Sequence, residues 1–184
     1  MTDAAQTHPA PADQAPELPA LPADGAGLRG ALRRFASPVV VVTCAAPDGP
    51  HGATIGSFTS VSLAPPLVSF NVTHGTRLHD ALRAAPSFAV HLLGAHQAEV
   101  AALFARSDLD GEAQLARVPH RLSPRGLPVV RDTLGVLLCR RHDAVEAGDH
   151  TLVIGRVEEI LDAEAEGSPL LYLEGAYRGV GERA

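Results

Sequence analysis

Residues 39–44, Val-Val-Val-Val-Thr-Cys, are too apolar and too β-branched for anything but a buried strand. The next five-residue stretch, Ala46-Pro47-Asp48-Gly49-Pro50, is a turn by composition, so the chain doubles back into a second strand over 51–57. The same device recurs further on, where strand candidates 134–145 and 150–161 are joined by Glu146-Ala147-Gly148-Asp149. Residues 67–72, 87–93 and 170–173 supply further strands. Helical spacing appears in three places: Leu28, Ala31, Leu32 and Phe35; Leu78, Ala81, Leu82 and Ala85 behind a Thr76 cap; and Val100, Leu103 and Phe104 within 97–105. Residues 108–126 are polar, broken by Gly111, Pro119 and Pro124, and read as a long loop with room for one helical turn. Six or seven strands, mostly linked by hairpins, disfavour a doubly wound parallel sheet. They predict a mainly β fold with inserted helices, an antiparallel barrel.

The run 52–67 bears most directly on function. Gly52 and Gly56 interrupt a segment carrying the hydroxyls of Thr54, Ser57, Thr59, Ser60 and Ser62, and Pro65-Pro66 ends it. Such a stretch buries little and can wrap something polar, because backbone N–H groups without ladder partners need acceptors such as a phosphate or a ring carbonyl. The same residues equally suit a turn whose hydroxyls bond their own backbone. Thr76 and Arg77, at the start of a helix, form a candidate anion site or an ordinary cap beside a solvated guanidinium.

A chain of 184 residues suits one domain and a tail, here divided as 1–26, an Ala/Pro-rich disordered tail, and 27–184, the folded domain. Residues 1–24 hold acids and no arginine, unlike a transit peptide, and lack the apolar centre of a secretory signal. The net charge of −6 argues against a nucleic-acid binder, and no apolar run is long enough to span a bilayer, so a cytoplasmic protein is expected. All fifteen formal cations are arginine, which excludes a Walker A loop and a Schiff-base lysine. Gly25-Ala26-Gly27-Leu28-Arg29-Gly30 matches G-x-G-x-x-G, but no strand precedes it, so the dinucleotide fingerprint is rejected. Cys44 and Cys139 lie in apolar strands and read as reduced core residues. The pairs His74/His79 and His91/His96 are five residues apart, which separates two ligands on a helix, so no metal site is expected. With no hydrolase or metalloprotease motif present, a bound cofactor would have to carry any chemistry.

Four segments, read in order, resemble a known family: 35–43 (Phe-Ala-Ser-Pro-Val-Val-Val-Val-Thr), 57–68 (Ser-Phe-Thr-Ser-Val-Ser-Leu-Ala-Pro-Pro-Leu-Val), 148–157 (Gly-Asp-His-Thr-Leu-Val-Ile-Gly-Arg-Val) and 169–172 (Pro-Leu-Leu-Tyr). Their order and spacing are similar to those of the flavin reductase-like, FMN-binding split-barrel family, over about 28–178. The resemblance implies an antiparallel split β-barrel of Greek-key type and an NAD(P)H:flavin oxidoreductase. It implies FMN, or FAD, as the flavin and NADH or NADPH as co-substrate. A homodimer and a separate monooxygenase that receives reduced flavin are implied as partners. Flavin contacts are then expected from Ser37, Pro38, Val39 and Val40, from Thr54, Ile55, Gly56, Ser57, Phe58, Thr59, Ser60, Val61 and Ser62, and, at the phosphate, from Thr76, Arg77, Phe104 and Ala105. His150 and Tyr177 are expected on the nicotinamide side, His150 as a positioning donor rather than a proton-transfer base. The chain departs from the family pattern at Ser37-Pro38 (Thr-Gly is common), Gly56 (Asn), Ala64 (Asp) and His91 (Asn). A non-catalytic flavin-binding or electron-carrier protein on the same barrel is the alternative.

Overall fold

The computed structural model describes residue 20 and residues 22–181. The expected tail at 1–26 lies mostly outside the described residues, and its boundary at 26 falls inside a helix. The chain divides into two units, Met1–Leu32 and Arg33–Ala184. In the first, helix α1 (Gly25–Leu32) starts at Asp24, whose Oδ1 accepts from the Gly27 N–H at 2.8 Å, and it buries none of its residues. The G-x-G-x-x-G residues are thus helix throughout, not a turn between strand and helix. The helix stops at Leu32, short of Phe35.

The second unit is mainly β and antiparallel. Its main sheet has seven strands: β2 (Val40–Ala46), β3 (Gly49–Ile55), β4 (Thr59–Leu63), β5 (Pro66–Thr73), β6 (Ser87–Leu92), β9 (Gly135–Ala147) and β10 (His150–Leu161). Their order is β3-β2-β6-β9-β10-β5-β4, so β3 and β4 are the outer strands. Five short strands lie outside it: β1 (Ser37–Pro38) pairs with β11 (Leu171–Leu173), which pairs with β12 (Ala176–Arg178), and β7 (His120–Leu122) pairs with β8 (Pro128–Val130). Helices α2 (Arg77–Ala84), α3 (Ala98–Phe104) and α4 (Gly111–Leu115) complete the unit.

The two expected hairpins form, β2–β3 with Val40 opposite Ile55 and β9–β10 with His150 opposite Ala147. Gly148 in the second turn has φ +65°, a left-handed conformation that a side chain resists. The expected loop at 108–126 holds the helical turn allowed for it and differs from expectation in also carrying a strand. Asp110 accepts from the Ala113 N–H at 2.8 Å and caps α4, and 120–130 make the β7–β8 hairpin.

The sheet wraps a core that includes Phe70, Phe88, Val42, Val90 and Leu78, while Val41, Leu93, Phe104 and Leu170 pack in a second cluster. Alternate residues of β2 thus serve two cores, which is why the run 39–44 carries no polar face. Glycines make the closest approaches possible: a Cβ on Gly52 would meet Phe104 Cε1 at 2.5 Å, so α3 lies directly on β3 only because Gly52 has none.

Candidate active site

Three adjoining cavities follow β3. The first, about 430 Å³, is lined by Ser37, Val39, Thr54, Gly56, Ala105, Tyr172 and Tyr177. The second, about 360 Å³, shares Thr54 and Gly56 and adds Ile55, Ser57, Asn71, Thr73 and His150. The third, about 370 Å³, shares Ala53 and Thr76 with the second and adds His51, Gly52, Arg77, Phe104 and Arg106. Shared walls make them one cleft, with an aromatic pocket and a cationic pocket that meet at Ala105.

Most of the residues singled out from sequence meet here: Ser37, Val39, Thr54, Ile55, Gly56, Ser57, Thr76, Arg77, Phe104, Ala105, His150 and Tyr177. Pro38, Val40, Phe58, Thr59, Ser60, Val61 and Ser62 line none of the three cavities. Val40 is 2% exposed in the core, Phe58 packs against that core, and 59–63 form the outer strand β4.

The hydroxyls largely serve the backbone. Thr54 Oγ1 donates to the Ala101 carbonyl of α3 at 2.6 Å. Ser57 Oγ accepts from the Asn71 N–H at 2.9 Å. Thr76 Oγ1 accepts from the His79 N–H at 3.3 Å and donates to the Thr73 carbonyl at 2.9 Å, the geometry of a helix N-cap. These hydroxyls fix the shape of the cleft and keep only lone pairs free. Replacing Thr76 with Ala is expected to destabilise the protein by about 1 kcal/mol, read as a lowered urea midpoint. An unchanged midpoint would mean that the cap does not hold α2.

The cationic end gathers Arg77, Arg106 and the N-terminus of α2. Arg77 donates to the Leu109 carbonyl, tying α2 to the loop after α3. Arg106 forks onto Asp108 at 3.0 and 2.5 Å, and that bond lowers the Asp108 carboxyl to about 2. His51 Nε2 lies 3.0 Å from Asp48 Oδ1, while its Nδ1 is buried without a hydrogen-bond partner. Two guanidiniums and helix N–H groups make a donor set suited to a phosphate, and His51 Nδ1 can join it as a donor only in the imidazolium form.

At the aromatic end Tyr172 and Tyr177 stand opposite each other across the β11–β12 hairpin, rings 5.5 Å apart and edge-to-face. Burial raises the Tyr177 phenol above its ordinary value, keeping it protonated. Tyr172 and Arg106 were not among the sequence candidates. Tyr172 was findable from its partner, because a five-residue offset across a Glu174-Gly175 turn places the two rings in register.

His150 opens β10 in the second cavity. Its Nδ1 is 2.6 Å from Asp149 Oδ1 and its Nε2 is 3.0 Å from Thr73 Oγ1. The bond from His150 holds the Asp149 carboxyl below its usual range, helped by the charges of His150 and His74. With Nδ1–H given to Asp149, the neutral ring can only accept at Nε2, from the Thr73 hydroxyl. As imidazolium it donates there instead.

Two other sequence readings meet the structure here. Cys44 and Cys139 are buried and free, and burial pushes both thiols up to about 12, so neither is a nucleophile. The five-residue offset of His74 and His79 does not separate them, because His74 precedes α2 instead of lying on it, and their rings approach to 5.1 Å.

Comparison with known proteins gives one consistent result. The family model described as flavin reductase like domain matches residues 32–181. The NADH:FMN oxidoreductase of Rhodococcus qingshengii is 40% identical over 183 residues, covering 95% of this chain and 93% of that protein. The solved NADH:FAD oxidoreductase of Streptomyces globisporus, in complex with NAD and FAD fragments, superposes with TM-score 0.80 at 35% identity, over 88% of this chain and 95% of that one. The styrene monooxygenase flavin reductase of Pseudomonas putida S12 gives TM-score 0.73 at 30% identity, over 85% and 99%.

Proposed function

The chain belongs to the flavin reductase-like domain family, and we propose from this premise that it is an NAD(P)H:flavin oxidoreductase that takes hydride from NADH onto FMN or FAD. The observation that carries the reading is the cleft along β3, which joins a cationic pocket, an aromatic pocket and the pocket lined by His150. Ser37, Val39, Thr54, Gly56 and Ala105 would hold the isoalloxazine, and Thr76, Arg77 and Arg106 the phosphate. The absence of a side chain at Gly56, just after β3, leaves the backbone there open to close approach. The flavin, once bound, supplies the two-electron acceptor chemistry that no side chain here offers.

What the chain itself contributes is alignment. Asp149 fixes the orientation of the His150 ring, and in the imidazolium form its Nε2–H would turn from Thr73 to a nucleotide oxygen. Tyr172 and Tyr177 wall the aromatic end.

The coarse antiparallel sheet supports a split barrel: Ser57, just after the outer strand β3, bonds the backbone of Asn71 on β5 and draws the two ends of the sheet together. Val61 and Leu63 on the outer strand β4 are 50% and 88% exposed, which supports a homodimer. Reduced flavin would pass to a separate oxygenase, in line with the designation of the Pseudomonas relative as a styrene monooxygenase flavin reductase. Free, buried cysteines agree with a cytoplasmic setting. No helix among the described residues is long and apolar enough to cross a membrane.

The test is direct. Purified protein with NADH and FMN should deplete the nicotinamide absorbance, and no turnover with either nucleotide and either flavin removes the proposal. His150→Ala should raise the KM for the nucleotide about 10-fold to 100-fold, the worth of one charge-assisted hydrogen bond, with FMN affinity unchanged. A non-catalytic flavin carrier would show no nucleotide dependence to lose.

A further inference from the structure

We propose that His74, His79 and Glu146 form a binding site for a divalent transition-metal ion of the zinc type, separate from the β3 cleft and independent of the flavin reading. One donor atom from each of the three lies within 4.8 Å of the others. They come from three places in the chain: the turn after β5, the first turn of α2 and the end of β9. His74 Nε2 already contacts Glu146 Oε2 at 2.8 Å, so the imidazole and carboxylate converge without metal.

His79 is the residue that makes this more than a surface ion pair. It is 8% exposed, and its Nδ1 lies 3.0 Å from Asp80 Oδ1. A ring that gives Nδ1–H to a carboxylate keeps its lone pair on Nε2, and that carboxylate–histidine arrangement is how zinc-binding imidazoles are commonly oriented. Thr151 provides a second outer contact, its hydroxyl donating to Glu146 Oε1 at 3.3 Å. An adjoining cavity of about 290 Å³, lined by His79, Glu146 and Thr151, leaves room for the water that completes a three-ligand zinc sphere.

Charge is the opposing consideration, since Arg83 and Arg141 line the same cavity. Arg141 is committed to the carbonyls of Leu82 and Arg83, the latter at 2.9 Å, which holds its charge at the C-terminal end of α2. Glu146 and Asp80 supply negative charge on the other side. Two imidazoles and one carboxylate select zinc, cobalt, nickel or copper over magnesium or calcium, which prefer all-oxygen sites. A bound ion would fasten α2 to the β9–β10 hairpin, whose turn carries Asp149 and His150.

Full-length protein stripped with a chelator and titrated with cobalt(II) should develop a saturable d–d absorbance at about one ion per chain, and zinc should raise its melting temperature. Glu146→Gln and His74→Asn, both at exposed positions, should remove the cobalt spectrum while leaving the metal-free melting temperature unchanged. Asp80→Asn should weaken affinity about 10-fold through His79, and the exposed control His142→Asn should change nothing. No saturable spectrum, or one that persists unaltered in both ligand variants, overturns the site.

Discussion

Replacing Phe88 with Ala is expected to destabilise the protein by about 3 to 5 kcal/mol. Phe88 is fully buried at the centre of the sheet, on β6, opposite Cys44 of β2 and Cys139 of β9. Its ring meets Phe70 edge-on, centroids 5.3 Å apart and planes at 85°. The other side of the ring fills the space above Gly155 of β10, where an added Cβ would collide with Phe88 Cζ. Removing the ring therefore opens a cavity walled by strands that cannot easily collapse, and it also loses an aromatic pair worth about 1 kcal/mol. The Gly155 contact supplies an internal check. Gly155→Ala alone should destabilise by overpacking, about 1 to 3 kcal/mol, but in the Phe88→Ala background the methyl enters the vacated space. Urea unfolding of the two single variants and the double variant should give a double-mutant loss well below the sum of the single losses. Strict additivity, or a Phe88→Ala loss under about 1 kcal/mol, would mean that the β6–β10 contact does not organise this core.

That contact also marks where sequence reading stops. Six of the seven main-sheet strands were legible because β-branched runs such as 39–44 and Pro/Gly turns such as 46–50 are local signals, while β4 was not, because its Ser/Thr-rich run also suits a turn. The Thr76 cap was legible for the same reason. The short strand β8 was not, because Leu127, Pro128, Val129 and Val130 are too few to show a period and contain a proline, although all four are buried. In the cleft, residue types could be named but not the direction of their bonds. Thr54 satisfies a carbonyl 47 positions away on α3, and Thr73 meets His150 across 77 positions. The separation of His74 and His79 by five residues misled because it assumed one continuous helix. Convergence of groups distant in sequence is a property of the sheet order, and no spacing rule contains it.

Acid should unfold this protein earlier than its carboxylates alone would. His91 on β6 is fully buried; its Nδ1 lies 2.9 Å from the Val41 carbonyl and its Nε2 has no partner. Burial lowers its pKa from 6.5 to about 4, against the pull of the Val41 and Pro128 carbonyls, which favour the charged form. Because the folded value lies below the unfolded one, protonation favours the unfolded chain. The stability that the neutral ring allows is complete above pH 6.5 and is lost as pH falls from there toward 4, at about 1.4 kcal/mol per unit and about 3 kcal/mol in all. Asp108, lowered to about 2 by Arg106, and the other paired acids such as Asp48 and Glu158 also sit below their ordinary values, 3.8 for aspartate and 4.5 for glutamate. Their contribution is lost only as pH falls through and below that range. Between about pH 6.5 and 5 these acids therefore contribute little to the loss, whereas His91 contributes throughout. His91→Asn keeps a donor for the Val41 carbonyl and cannot titrate. Urea midpoints measured across that interval should fall steeply for the parent protein and stay nearly level for the variant, and parallel slopes in the two would show that His91 does not set the acid limit.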